Sequence, residues 1–244
     1  MGPVALVVAG VLGAVGGQLG GRLADAVAAP RYGPGADGFD PEDAELAPLQ
    51  PPTTARQRAW LSALGAAGLV AIAASLDDGW TVAYFGVLLL GYLSAMTVDL
   101  QYLRLPNVFT YPAALFAVAG AWGLSQHLDR PFAGAVAGLV TYAGFLWLTR
   151  IAYQLVRGRE GMGLGDVKLA LSLGASAGWL GGLFVDPAAI GAIQLVIYAA
   201  LLGNLLGAFG GVLLVRQFDR EFPFGPALVA GWLIVVVVAD TLLG

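Results

Sequence analysis

The hydrophobic positions of this chain fall in long runs broken by short polar turns. A helix needs about 20 mostly apolar residues to cross a bilayer. Eight runs approach that length: residues 3–20, 59–76, 80–98, 108–125, 132–156, 167–184, 188–215 and 227–243. The pattern predicts an all-α, polytopic membrane protein with about eight transmembrane helices. The first run has no basic residue before its apolar core and no small-residue cleavage pattern leading into a soluble domain, so it is expected to be an anchored span.

One polar stretch interrupts the pattern. Residues 21–58 hold Pro30, Pro34, Pro41, Pro48, Pro51 and Pro52 with six acidic residues, a composition that buries too little apolar surface to fold alone. The expected organisation is a first span at 1–20, a Pro-rich acidic cytoplasmic loop at 21–58, and a membrane-embedded core of about seven spans at 59–244.

Composition sharpens this picture. Hydrophobic residues make up 58% of the 244 and charged ones 11%, against about 25% charged in a soluble domain. Most of the surface therefore faces lipid. The 36 glycines suit helices packed closely in a bilayer. Small-x-x-x-small spacings at Gly13/Gly17/Gly21, Gly203/Gly207 and Gly207/Gly211 fit such packing, within the chain or between protomers of a homo-oligomer, and do not choose between them. Asn204, deep in the seventh run, is expected to hydrogen-bond across helices.

The chain has no cysteine and a single histidine, His127. That excludes a disulfide framework, a thiol nucleophile and Cys-bearing metal sites, and it removes a His-rich cluster. His127 itself reads as an exposed loop residue. No metal or other cofactor is implied. A net charge of −4 argues against nucleic acid as a partner, which requires a basic footprint. The available chemistry is that of carboxylates, hydroxyls, amides and backbone groups.

Orientation follows from Lys and Arg, which collect in cytoplasmic loops. Arg22, Arg31, Arg56, Arg58, Arg104, Arg150, Arg157, Arg159, Lys168, Arg216 and Arg220 fall on one side and Arg130 alone on the other. The basic side is expected to be cytoplasmic, with both termini outside the plasma membrane. Arg150 and Gln154, in the cytoplasmic third of the fifth span, are expected to snorkel to the interface.

Two aspartates stand at the cytoplasmic ends of spans. Asp99 closes the third, in Asp99-Leu100-Gln101-Tyr102-Leu103-Arg104-Leu105-Pro106-Asn107. Asp166 opens the sixth, in Gly161-Met162-Gly163-Leu164-Gly165-Asp166-Val167-Lys168. Two carboxylates that share a site cannot both ionise cheaply. One can then deprotonate a water while the other hydrogen-bonds a scissile carbonyl. Each also has a plainer reading: Asp166 as a helix N-terminal carboxylate, and Asp99 as an interfacial partner of Arg104 or Lys168.

Three segments together resemble the type IV prepilin peptidases: Asp99 followed by six residues and then Pro106-Asn107, the G-x-G-D signature Gly163-Leu164-Gly165-Asp166 with Lys168 close behind, and Phe222-Pro223-Phe224-Gly225-Pro226-Ala227 entering the last span. The resemblance implies a membrane aspartyl endopeptidase that removes a short basic leader from membrane-inserted prepilin-like proteins at the cytoplasmic face. It implies Asp99 and Asp166 as the catalytic pair, and Gly163, Gly165, Lys168, Pro106, Gly225 and Pro226 as residues that bind substrate or shape the site. Asp219, Glu221 and the acidic loop are expected to attract the basic leader. Many relatives also methylate the new N-terminus and carry paired cysteines in the first cytoplasmic loop. Residues 21–58 have none, so the resemblance carries the protease and leaves the methyltransferase in doubt. The G-x-G-D motif is shared with preflagellin and presenilin-like proteases, and a non-catalytic scaffold or transporter component is the alternative of another class.

Overall fold

A computed structural model describes residues 2–38, 41, 47–49, 51–158, 163–215 and 223–244, and the side chains of 211–215 are outside that description. The described residues are helical, with no strand among them. In chain order the helices are α1 (Pro3–Tyr32), α2 (Ala55–Ser75), α3 (Gly79–Tyr102), α4 (Asn107–His127), α5 (Ala133–Arg157), α6 (Leu164–Gly181), α7 (Ala188–Val215), α8 (Gly225–Val237) and the short α9 (Ala239–Leu243). Among the described residues, six helices are long and apolar enough to cross a membrane: α1 to α5, and α7 over Ala188–Gly210. This is a multi-pass membrane protein. The other two expected spans fall on α6, with 18 residues, and on α8, with 13, so eight is an approximate count.

The chain divides into two compact units, Met1–Phe109 with Phe209–Pro226, and Thr110–Ala208 with Ala227–Gly244. In the first, α1 packs on α2 and α3, and α2 on α3. Glycines set the approach of α1 to α2. A Cβ on Gly13 would stand 2.2 Å from the Gly65 carbonyl oxygen, and one on Gly17 2.1 Å from that of Leu61. The Gly13/Gly17 spacing therefore serves packing inside the chain.

The polar loop expected from residue 21 begins only after Tyr32, because α1 continues to that point. The extension has its own buried face. Ala24 and Ala28 pack with Val98 and Tyr102 of α3, and Tyr32 and Phe109 lie against them. Helix α2 starts at a capping box, in which the Gln57 amide N–H donates to Thr54 Oγ1 and the Thr54 N–H to Gln57 Oε1. Asp78 caps α3, accepting from the Thr81 N–H and hydroxyl. Leu103 ends α3 in the left-handed region at φ 51°.

In the second unit, α6 packs along α5 and touches α9. From Ser172 to Gly181 every residue of α6 is buried, as expected for a helix surrounded by protein. Its small residues allow this. Cβ atoms on Gly138 and Gly174 would each overlap the other's carbonyl oxygen, at 2.2 and 2.5 Å. Buried hydroxyls satisfy buried indoles: Trp179 Nε1 donates to Ser125, and Trp232 Nε1 to Ser176, both at 2.9 Å. Two expectations are corrected here. Asn204 donates to the Ala200 carbonyl of its own helix, since a backbone acceptor one turn away is the nearest. Arg150 is 8% exposed and so buried, because it lies on the α5 face that also buries Tyr142, Ala143 and Leu146.

Candidate active site

Asp99 occupies the last turn of α3, where its carbonyl accepts from the Leu103 N–H at 2.9 Å. Its side chain is 4% exposed. The carboxylate Oδ2 accepts the Gly225 backbone N–H at 2.9 Å, across 126 positions of sequence. Gly225 is the first residue of α8, and the first amides of a helix have no partner within it. Such amides suit an anion, so the Phe224-Gly225-Pro226 turn supplies Asp99 with a fixed donor. A Cβ on Gly225 would stand 2.9 Å from Oδ2 and 3.4 Å from the Leu105 side chain, so a side chain at this position would press on the Asp99 carboxylate. Pro226 follows in the first turn of α8, where a missing N–H costs nothing. Pro106 is buried, and its carbonyl accepts the Phe109 N–H at 3.0 Å as α4 begins.

Asp166 stands in the first turn of α6 and is buried. Gly163 is the N-cap in an extended conformation, and its backbone donates to the Asp166 carboxylate. Asp166 thereby fills the third-residue role of a capping box. Among the described residues, a Cβ on Gly163 would meet nothing closer than Asp166 Oδ2 at 3.5 Å, an ordinary contact. Gly165 is partly buried between Leu164 and Asp166. The Lys168 ammonium lies 5.3 Å from the centre of the Tyr111 ring, a cation–π distance. Asp99, Pro106 and Gly225 belong to the first unit, and Gly163, Gly165, Asp166 and Lys168 to the second. Gly161, Met162, Arg159, Arg216, Asp219, Arg220, Glu221 and Phe222 lie outside the described residues. Among the described residues no three His, Cys, Asp or Glu side chains gather as metal ligands would.

The sequence pattern of the type IV leader peptidase family matches residues 84–212, just over half of the chain. This chain belongs to the type IV leader peptidase family. The match includes both aspartates, Pro106 and Lys168, while Gly225 and Pro226 lie beyond it. The chain is 35% identical over 180 residues to the prepilin leader peptidase/N-methyltransferase of Pseudomonas aeruginosa, covering 68% of this chain and 56% of that protein. It is 36% identical over 175 residues to the protein of the same name from Aeromonas hydrophila, covering 67% and 52%. The corresponding protein of Neisseria gonorrhoeae is 35% identical over 164 residues, covering 64% and 50%. The chain thus spans about half the length of these curated relatives. No solved structure matches it.

Within this family member, several polar residues escape a reading by motif. Asp25 of α1 accepts from the Thr53 N–H, the Thr53 hydroxyl and the Gln101 side-chain amide. Gln101 stands inside the quoted Asp99–Asn107 segment, but nothing in the sequence links it to Asp25. Tyr111, under Lys168, was equally silent. Asp25 falls in the stretch expected to be loop, and its helical periodicity with Ala24 and Ala28 is the one signal that would have found it.

Proposed function

We propose that this chain is a membrane aspartyl endopeptidase that removes the short basic leader from prepilin-like precursors at the cytoplasmic membrane face. The observation that carries the reading is a buried Asp99 whose carboxylate is held by the Gly225 N–H, in a family member whose other motif carboxylate, Asp166, is also buried at a helix start. A buried ionisable group in a membrane protein is costly to keep without a function.

In the proposed reaction the two aspartates share one proton. The ionised carboxylate takes a proton from water, and the water oxygen bonds to the carbonyl carbon at the leader–pilin junction. The neutral carboxyl protonates the carbonyl oxygen. The tetrahedral adduct then collapses: the C–N bond breaks, the proton first taken from water goes to the leaving amine, and one hydroxyl of the adduct returns its proton to the other aspartate as the C=O bond re-forms. No covalent enzyme intermediate forms. Gly163, Gly165, Pro106, Gly225 and Pro226 shape the site in this reading, and Lys168 steadies the leader backbone. Methyl transfer is left out, since the chain has no cysteine to build the loop that accompanies it in relatives. The Phe224-Gly225-Pro226 turn favours prepilins over preflagellins as the substrate class.

The test is co-expression with a prepilin from the same cell, scored by N-terminal mass. The intact chain should release the leader and leave an unmethylated N-terminus. Asp99→Asn and Asp166→Asn should insert normally and lose at least about a thousandfold in rate, the upper range for positioned acid–base groups. Cleavage by either variant at the normal rate overturns the mechanism. Failure of the intact chain on every prepilin tried favours the non-catalytic scaffold. The rate should also fall at both acidic and alkaline pH, since each limb removes the singly protonated pair.

A further inference from the structure

The turn of α3 that carries Asp99 is tied to two other segments of the first unit by one carboxylate. Asp25 Oδ1 accepts the Gln101 Nε2–H at 3.0 Å and the Thr53 N–H at 2.9 Å, and Oδ2 accepts the Thr53 hydroxyl at 2.5 Å. Arg58 Nη1 donates to the Thr53 carbonyl and, at 3.2 Å, to its hydroxyl. A second tie runs alongside, with the Leu49 N–H donating to the Leu100 carbonyl at 3.0 Å. The polar segment before α2 is thus fastened to Leu100 and, through Asp25, to Gln101, the two residues that follow Asp99.

Apolar packing alone does not fix this geometry. Ala24, Ala28, Val98 and Tyr102 bury the neighbouring face, and apolar burial of this kind is non-directional. Directional hydrogen bonds to a carboxylate hold one register, and charge-assisted bonds are about twice as strong as neutral ones. Gln101 is 1% exposed, so losing its acceptor would leave a buried amide donor unpaired.

We propose that Asp25 is a positioning residue for Asp99. Through Gln101 it holds the last turn of α3, and through Thr53 it docks residues 51–53 against that turn. The role in catalysis rests on the peptidase reading above; the clamp itself does not.

Two variants separate its two arms. Asp25→Ala removes both, while Gln101→Leu cuts only the arm to α3. Hydrogen exchange of a peptide spanning 98–105 reads the Leu103 amide, which is bonded to the Asp99 carbonyl. Its exchange should quicken about tenfold in both variants. Proteolysis between residues 33 and 53 should quicken in Asp25→Ala alone. With a prepilin substrate, both should lower kcat about tenfold with KM changed less than twofold, and the double variant should cost no more than the larger single one. Asp25→Asn should recover most of the rate, because its Oδ1 can still accept from Gln101 Nε2 and from the Thr53 N–H. Unchanged exchange at Leu103 in both variants overturns the clamp. Quickened exchange with unchanged kcat per folded molecule overturns its catalytic role. If the intact chain cleaves no prepilin, the peptidase reading fails, and the exchange and proteolysis results still decide the clamp.

Discussion

At the scale of single residues, the motif glycines separate into two kinds that the sequence presents alike. Gly163 has φ −67° and ψ 147°, and among the described residues a Cβ there meets nothing closer than Asp166 Oδ2 at 3.5 Å, so it tolerates one. Gly225 does not, because a Cβ there would press on the carboxylate that its own amide holds. Gly225→Ala should therefore lower kcat by about ten- to a hundredfold, the order expected for a misplacement of about 1 Å, with little change in folded yield. Gly163→Ala should stay within about threefold of the unaltered rate. Cleavage kinetics normalised to inserted protein measure both, and equal losses would mean that the glycines act through chain flexibility. The aspartates were legible from the sequence because each stands in a local motif at the end of an apolar run. The Gly225–Asp99 bond was not, because no local pattern encodes a partner 126 positions away.

At the scale of elements, long apolar runs gave helices wherever residues face lipid or protein without distinction. The misreadings occurred where small or polar residues are buried by protein. Residues 21–32 look like loop because Arg22, Asp25 and Pro30 dilute the pattern, yet Gly21, Ala24 and Ala28 form a buried stripe that continues α1. Helix α6 falls short as a span because Asp166, Lys168 and a run of small residues lower its hydropathy, and Gly174 and Gly178 among them are what let α5 approach it. The consequence for stability is testable. Gly138→Ala places a methyl 2.2 Å from the Gly174 carbonyl oxygen and 2.6 Å from the Gly178 Cα, so backbone must shift. The expected loss is about 1–3 kcal/mol, the usual cost of overpacking. Gly144, on the same helix, has nothing within 4 Å of a built Cβ. Gly144→Ala should be neutral or stabilise by up to about 1 kcal/mol through lower chain entropy and better helix propensity. Thermal unfolding in one detergent compares them, and an undiminished melting temperature for Gly138→Ala would show that the α5–α6 seam yields.

At the scale of the whole molecule, orientation in the membrane decides whether the proposed site meets leaders inside the cell. Arg130 is the single basic residue on the side assigned outward, and such a bias in short loops sets topology. The chain lacks cysteine, so a single introduced thiol reports its own side without further changes. Ala55 is exposed at the start of α2, and Gln126 is exposed near the end of α4. Between them run α2, α3 and α4, each long and apolar enough to cross. If all three cross, the two positions lie on opposite sides whichever way the chain is inserted. With a membrane-impermeant maleimide on intact cells, Gln126→Cys should label at once and Ala55→Cys only after permeabilisation. The reversed pattern would move the Asp99 end of α3 outside and sink the cytoplasmic reading, because two spans, α2 and α3, separate Ala55 from that end. Labelling of both on one side would mean that one of the three helices does not cross, and the topology would have to be rebuilt from that helix outward.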